Sequence, residues 1–154
     1  MRKSDRVQED GSLVIGYTTG VFDLFHIGHL NLLRNARSLC DRLIVGVTTD
    51  ELVSYKHKSS VIPFNERIEI VRSCRYVDVA VAQSSLDKVE AHNSLKFDIL
   101  FVGDDWLGDE RWIEWTALLE LRRAKVIFLP YTQTTSSSLI NDVLLSIRSG
   151  TSID

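Results

Sequence analysis

The chain has 154 residues, 44% of them hydrophobic and 25% charged, which fits one globular domain with a hydrophobic core and excludes a second domain. Its formal net charge is −3 at pH 7. A dedicated nucleic-acid-binding protein is not expected, because such proteins carry an excess of basic residues to hold the phosphate backbone.

The amino-terminal residues 1–12 are polar and charged, and they predict a flexible tail before a single domain over residues 13–150. The tail lacks the apolar centre of a signal peptide, and no later apolar run is long enough to span a bilayer. Cys40 and Cys74 lie in apolar or helical surroundings, which favours reduced thiols over a disulfide. We therefore expect a cytoplasmic protein without membrane insertion.

An apolar strand followed by a glycine-containing turn and a helix with two histidines organises the chain. Residues 13–17 predict the strand and residues 30–39 the helix. His26 and His29 lie three residues apart, on one face of the first helical turn. Because free N–H groups and the helix dipole attract anions there, we predict a phosphate site. Gly20 would permit unusual backbone angles, and Gly28 would leave space for the phosphate.

The two histidines also have ordinary interpretations, as unrelated side chains near a helix start or as half of a metal site. Neither a Glu-x-x-His motif nor a cysteine pair is present to complete a coordination sphere, so the sequence does not supply a full set of metal ligands. A lone His-x-x-His would favour an ordinary role. Here a strand, a glycine turn and Phe22-Asp23 precede it, and this context favours phosphate binding.

The middle of the chain continues the alternation of strands and helices. An unbroken apolar run over residues 42–48 predicts a strand covered on both faces, and residues 55–60 predict a polar loop with lysines. Asn65 is expected to cap a helix with Ile68, Ile70 and Val71 buried, ending near residue 74. Residues 79–82 predict the third strand. In the segment before it, a surface ion pair between Arg75 and Asp78 is one interpretation.

The last third predicts two more strands, at residues 97–102 and 125–129. Helices are predicted over residues 85–95, 111–123 and 139–147, the second with Trp112, Trp115, Leu119 and Leu121 as core and partner surface. Hydroxyl residues before the last helix could cradle phosphates or serve as ordinary caps. Five strands alternating with helices predict an α/β protein with a Rossmann-like, three-layer parallel five-stranded sheet.

The motifs Gly20-Val21-Phe22-Asp23 and His26-Ile27-Gly28-His29 resemble the signature of the cytidylyltransferase-like nucleotidyltransferases. The resemblance covers about residues 14–143 and is strongest to the glycerol-3-phosphate cytidylyltransferase branch. Gly103-Asp104-Asp105-Trp106 is similar to the cytidylyltransferases rather than to sugar-phosphate adenylyltransferases. The resemblance thus implies an HxGH-type enzyme that transfers CMP from CTP to a small phosphorylated alcohol, with glycerol 3-phosphate favoured and pyrophosphate released.

The resemblance also implies roles for individual residues. Charge stabilisation during the reaction would come from His26, His29 and Lys58. Nucleotide contacts would come from these three and from Thr19, Gly20, Val21, Phe22, Gly28, Gly103, Asp104, Asp105, Trp106, Tyr131, Thr132, Ser136, Ser137 and Ser138. Acceptor contacts would come from Asp23, Lys56 and Lys88. Mg²⁺ would supply counter-charge, and the segment 75–78 would lie near the interface of a homodimer.

Three positions depart from the family pattern. Tyr131 stands where the family has arginine, Thr134 where it has glycine, and Val21 where bacterial enzymes commonly have threonine. A phenol cannot reproduce the paired phosphate contacts of a guanidinium. These departures leave the acceptor open. They also keep two alternatives in view, an adenylyltransferase that uses ATP with a sugar phosphate or cofactor precursor, and a non-catalytic nucleotide-binding module.

Overall fold

A computed structural model of the chain describes residues 11–55 and 58–150, so most of the predicted tail lies outside the described residues. The strands are β1 (Ile15–Gly20), β2 (Arg42–Thr48), β3 (Val79–Gln83), β4 (Ile99–Gly103) and β5 (Lys125–Leu129). The α-helices are α1 (Ile27–Ser38), α2 (Asp50–Tyr55), α3 (Phe64–Ser73), α4 (Lys88–Leu95), α5 (Glu110–Glu120) and α6 (Ser137–Ser149). A short 3₁₀ turn, Asp104–Trp106, follows β4.

The five strands form one parallel sheet in the order β3-β2-β1-β4-β5, which confirms the predicted fold class. β1 is central, and the chain moves outward from it first through β2 and β3, then through β4 and β5. The switch point between the two halves lies between β1 and β4. In sheets of this kind ligands bind beyond the carboxyl ends of the strands at that point.

Two hydrophobic cores cover the two faces of the sheet and give the predicted three layers. One core packs α1 and α3 against the sheet, with Leu33, Ala36 and Val71 fully buried. The other packs α4 and α5 on the opposite face around Phe97, Trp112 and Leu119. Because both faces are covered, β2 has one exposed residue followed by six buried ones, as its apolar sequence predicts.

Helix α3 departs from its prediction at both its cap and its buried face. It begins at Phe64 after Pro63, so the prediction of Asn65 as the cap was wrong. Asp50 satisfies the helix start from a distance, since its carboxylate accepts a 3.1 Å hydrogen bond from the Phe64 amide. Ile70 is 43% exposed and not buried, whereas Arg67 is fully buried.

The interpretation of Arg75 and Asp78 as a surface ion pair was wrong. Asp78 forms no ion pair with Arg75, because its carboxylate lies 2.9 Å from Arg37 on α1 and accepts a bond from the Leu43 amide. Arg75 instead donates to the Tyr76 hydroxyl. Trp112 and Leu119 are buried in the core, as predicted for α5, whereas Leu121, just beyond the end of this helix, is 82% exposed.

The described residues contain no helix that is both long and apolar enough to cross a membrane. Cys40 and Cys74 are free thiols, as predicted. Burial raises the pKa of Cys40 to about 11, so its thiol is protonated and unreactive at neutral pH.

Candidate active site

The start of α1 is built by two histidines that cap each other's backbone. His26 is the N-cap residue, and its Nδ1 accepts a 3.0 Å hydrogen bond from the Gly28 amide. In return, Nδ1 of His29 accepts a 3.2 Å bond from the His26 amide. The motif therefore works as a reciprocal capping box made from imidazoles instead of the usual hydroxyl and carboxylate.

This capping fixes the tautomer of both rings. Because each Nδ1 accepts a hydrogen bond from a backbone N–H group, the proton of each neutral imidazole is on Nε2. The rings stack with their centroids 3.9 Å apart. The helix start thus presents two oriented Nε2–H donors, an arrangement suited to oxygen atoms that carry negative charge.

Both histidines are held neutral by their surroundings. His29 packs against the rings of Phe22 and Phe25, each with its centroid 5.3 Å away. Burial, followed by the neighbouring His26, lowers the pKa of His29 to about 4. Burial also lowers the pKa of His26. A second proton could enter only at Nδ1, which accepts a backbone N–H bond in each ring, so the capped helix start offers neutral Nε2–H donors.

The low pKa of His29 predicts an acid-sensitive component of stability. The unfolded chain binds a proton at this residue near pH 6.5, whereas the folded chain does so only near pH 4. The free energy of unfolding should therefore fall by up to about 3 kcal/mol as the pH drops through this window. Urea denaturation between pH 7 and pH 4 measures the loss, and His29→Asn should lack this part of it. An equal pH dependence in both proteins would contradict the assignment.

The turn that leads into α1 owes its shape to two residues other than glycine. Phe22 has a φ of 54° and Leu24 a φ of 50°, both in the left-handed region that side chains other than glycine disfavour. Gly20 is needed for space, not for its backbone angle, because a Cβ there would lie 3.0 Å from the Phe22 ring. Gly28 is likewise confined, since a Cβ would lie 2.7 Å from His26 Cε1.

A cleft of about 290 Å³ opens beside His29 at the carboxyl end of β1. It gathers the β1 turn, the loop before α3 and the start of α6. The predicted site residues that line it are Thr19, Gly20, Val21, Phe22, Asp23, His29, Lys58, Ser137 and Ser138. Ser59, Ser60 and Asn141 add polar groups that the sequence did not single out.

Asp23, in the β1 turn, forms hydrogen bonds with the loop before α3 and with the start of α6. Its carboxylate oxygens accept hydrogen bonds of 2.8 Å from the Val61 amide and 3.0 Å from the Ile62 amide. Its backbone carbonyl accepts a bond from the Ser137 hydroxyl at the start of α6. In this structure Asp23 therefore positions the walls of the cleft, a role that its place in the sequence motif did not indicate.

Arg67 also stabilises this region, and the sequence analysis did not identify it. Its fully buried guanidinium donates to the carbonyls of Ile62, Val21 and Thr48 over 2.7 to 2.8 Å. A fourth bond of 2.7 Å reaches Asp50. The Phe64 amide and then this guanidinium lower the pKa of the Asp50 carboxyl. One side chain thus joins the ends of β1 and β2 to the loop that carries Lys58.

Among the predicted site residues after β4 and β5, Ser137 and Ser138 line the cleft and the others do not. Asp104 accepts a 2.9 Å hydrogen bond from the Tyr131 amide and so joins the ends of these two strands. The Tyr131 and Trp106 side chains are 49% and 44% exposed. Thr132 accepts a bond from Asn31 on α1, which brings it next to Gly28. Ser136 is the N-cap residue of α6.

The predicted acceptor lysines are placed differently. Lys88 is 4% exposed, against the alternative of a solvated side chain, and its Nζ lies 3.0 Å from the Thr19 hydroxyl. Lys56 lies outside the described residues. Within residues 11–55 and 58–150, no group of three histidine, cysteine or acidic side chains is arranged to hold a metal ion.

A parallel sheet with a helix start at its switch point, paired imidazole donors and an adjacent cleft is the arrangement expected of a nucleotidyltransferase-type α/β protein. The family described as "Cytidylyltransferase-like" matches residues 17–143, and the chain belongs to that family.

Known relatives support the same class and differ in their substrates. A glycerol-3-phosphate cytidylyltransferase from Staphylococcus aureus is 33% identical over 82% of this chain and 92% of its own. An FAD synthase from Methanothrix thermoacetophila is 38% identical over 68% of this chain and 72% of its own. A lipopolysaccharide core biosynthesis protein from Thermoplasma volcanium superposes with a TM-score of 0.68 at 25% identity, covering 80% of this chain and 100% of its own.

Proposed function

We propose that the protein transfers CMP from CTP to a small phosphorylated alcohol, with glycerol 3-phosphate as the favoured acceptor. An oxygen of the acceptor phosphate attacks the α-phosphorus of CTP, the bond from that phosphorus to the bridging oxygen breaks, and pyrophosphate leaves. The reaction needs no protein nucleophile, so the chain contributes positioning and charge stabilisation.

The observation that carries the proposal is the pair of Nε2–H donors fixed by reciprocal capping at the start of α1. Negative charge grows on the triphosphate as pyrophosphate departs, and donors that are already oriented stabilise it without reorganisation. Lys58 and the Ser138 hydroxyl line the cleft beside His29 and supply further donors. The choice of CTP and of glycerol 3-phosphate is supported by likeness to a glycerol-3-phosphate cytidylyltransferase that matches 82% of this chain.

The remaining assignments follow the same likeness. Lys56 and Lys88 would serve the acceptor phosphate, and the segment from Gly103 to Trp106 and Thr132 would approach the nucleotide. Mg²⁺ would enter with the phosphates of CTP, because both Asp23 oxygens already accept backbone bonds and the described residues build no cluster of ligands. No step of the reaction is assigned to a protein-bound metal.

The proposal is tested by incubating the purified chain with CTP or ATP and each acceptor of a panel. Mass spectrometry of the products and release of pyrophosphate should identify a CDP-alcohol from CTP and glycerol 3-phosphate. Turnover with ATP and a cofactor precursor such as FMN would establish the alternative that the FAD synthase relatives favour. Nucleotide binding without turnover on any acceptor would establish a non-catalytic module instead.

Position 131 gives a prediction about nucleotide affinity. If the family's arginine normally shares the triphosphate with the start of α6, Tyr131→Arg should tighten CTP binding by about 1 to 3 kcal/mol, the worth of a charge-assisted hydrogen bond. Calorimetric titration measures this change, and steady-state kinetics show whether acceptor turnover is lost because the tyrosine serves an unusual acceptor. Unchanged affinity and unchanged turnover would place residue 131 outside the site.

We also expect a homodimer, since the segment from Arg75 to Asp78 resembles an interface-proximal part of the family. Beside it lies an open groove of about 460 Å³ between α1 and α3, lined by Phe25, Leu30, Arg34, Ile70, Ser73, Cys74, Arg75 and Tyr76. An exposed apolar groove of this kind favours association. Light scattering at micromolar concentration should give twice the chain mass, and a monomeric mass would exclude the dimer.

A further inference from the structure

Lys88 is hydrogen-bonded to a residue that lines the cleft. It is the first residue of α4, yet its Nζ lies 3.0 Å from the hydroxyl of Thr19 on β1. Thr19 itself lines the cleft. The lysine itself does not line the cleft, so Thr19 is its link to it.

Two tryptophans of α5 surround the ammonium group. Lys88 Nζ lies 5.6 Å from the ring centroid of Trp112 and 5.9 Å from that of Trp115. The two rings meet edge to face with their centroids 5.2 Å apart. Aromatic faces attract a nearby cation through their quadrupoles, and the two rings shield this ammonium group from water.

Thr19 has a fixed orientation in this arrangement. A Cβ on Gly46 of the neighbouring strand β2 would lie only 3.1 Å from its methyl group, so the methyl packs directly on the strand backbone. The hydroxyl is then left on the side of Lys88. A β-branched side chain confined between a strand and a hydrogen-bond donor has little rotational freedom.

The direction of the Thr19–Lys88 hydrogen bond follows from the chemistry of the two groups. An ammonium group has only donors, so the Thr19 oxygen must accept. The hydroxyl proton then points away from Lys88, and among the described residues it has no acceptor. Polarisation by the adjacent positive charge makes this proton a stronger donor than an ordinary hydroxyl.

We propose that the Thr19 hydroxyl donates a hydrogen bond to a phosphate oxygen of a bound substrate, and that Lys88 acts through it as a positioning residue. The phosphate belongs to the nucleotide or to the acceptor. This inference rests on the proposed function for the identity of the substrates, but the donor itself can be tested with pyrophosphate alone.

The test is a double-mutant cycle with calorimetric titration of pyrophosphate. Thr19→Val keeps the side-chain shape and removes the hydroxyl, and Lys88→Met keeps the length and removes the charge. Each single variant should bind pyrophosphate about tenfold more weakly, the scale of one charge-assisted hydrogen bond. The double variant should be no weaker than either single one, because both remove the same bond. Thr19→Ser should restore wild-type affinity.

Two outcomes would overturn the inference. Equal pyrophosphate, CTP and glycerol 3-phosphate affinities in the wild type and Thr19→Val would show that the hydroxyl contacts no phosphate. Independent, multiplying losses in the double variant would show that Lys88 contacts the phosphate directly. Melting temperatures of all four variants confirm that they are folded, and cytidine and glycerol serve as ligands without phosphate.

Titrations with CTP and with glycerol 3-phosphate identify the source of the phosphate. A Thr19→Val loss seen with CTP and pyrophosphate places the donor on the nucleotide, and a loss seen with glycerol 3-phosphate places it on the acceptor. The wild type could lack CTP-dependent turnover and still bind pyrophosphate more tightly than Thr19→Val does. That result would overturn the proposed reaction but support the Thr19 hydroxyl as a phosphate donor.

Discussion

We expect the His29→Asn variant to turn over at least about a hundredfold more slowly than the wild-type chain, with its fold intact. Asparagine places an amide oxygen near the position of Nδ1, so it can still accept the hydrogen bond from the His26 amide. It offers no donor where Nε2–H stood. The variant therefore keeps the hydrogen bond that caps the helix and removes the donor that we propose for the phosphates.

The same logic applies to His26→Asn, since asparagine is among the best N-cap residues and can replace Nδ1 as the acceptor for Gly28. Steady-state kinetics with saturating CTP and acceptor measure the effect, and a thermal melt reports the fold. His92→Asn on α4 is a matched control, because His92 packs against Phe97 in the core of the other face. Wild-type turnover in both Asn variants of the motif would show that the rings only cap the helix.

The second large effect is expected at Arg67. Replacing it by methionine should lower the free energy of unfolding by about 3 to 5 kcal/mol, the usual cost of removing one partner from a buried charge network. Three carbonyls and the Asp50 carboxylate would lose their donor together. Urea denaturation measures the loss. Turnover should fall as well, since the loop with Lys58 loses its anchor at Ile62.

Arg72→Met supplies the control for this experiment. Arg72 lies on the same helix, is exposed and pairs only with the nearby Glu69 within the described part of the chain. Surface pairs of this kind contribute at most about 1 kcal/mol. If Arg67→Met were no less stable than Arg72→Met, the buried guanidinium would not hold the strand ends as its contacts indicate.

Much of the fold was predictable because the signals are local. The apolar run of β2 and the alternation of strands and helices depend only on neighbouring residues, and the structure confirms them. β1 continues to Gly20, beyond the predicted residue 17, because β2 pairs with it as far as Gly20 and β4 as far as Thr18. The helix cap at Asn65 failed for a similar reason, since a carboxylate fourteen positions earlier satisfies the start of α3.

The candidate site likewise contains residues that the sequence could predict and residues that it could not. His26, Gly28 and His29 were found because their spacing carries the geometry of one helical turn. The burial of Lys88 was not predictable, because the tryptophans that cover it belong to a different helix. Arg67 looked like any other helical arginine in the sequence. Its role depends on the ends of β1 and β2 and on the loop, which come together around it only in the folded chain.

The central position of β1 also governs when the site can exist during folding. The Thr18 hydroxyl bonds to the Phe101 carbonyl of β4, which lies 83 positions later in the chain. Closing so long a loop is entropically costly and slow, so contacts of this kind form late. A growing chain that has not yet made β4 therefore lacks one side of the sheet next to β1. A ligand that binds the cleft would therefore stabilise only the chain whose sheet is complete. Its binding free energy would add to the stability of the whole domain.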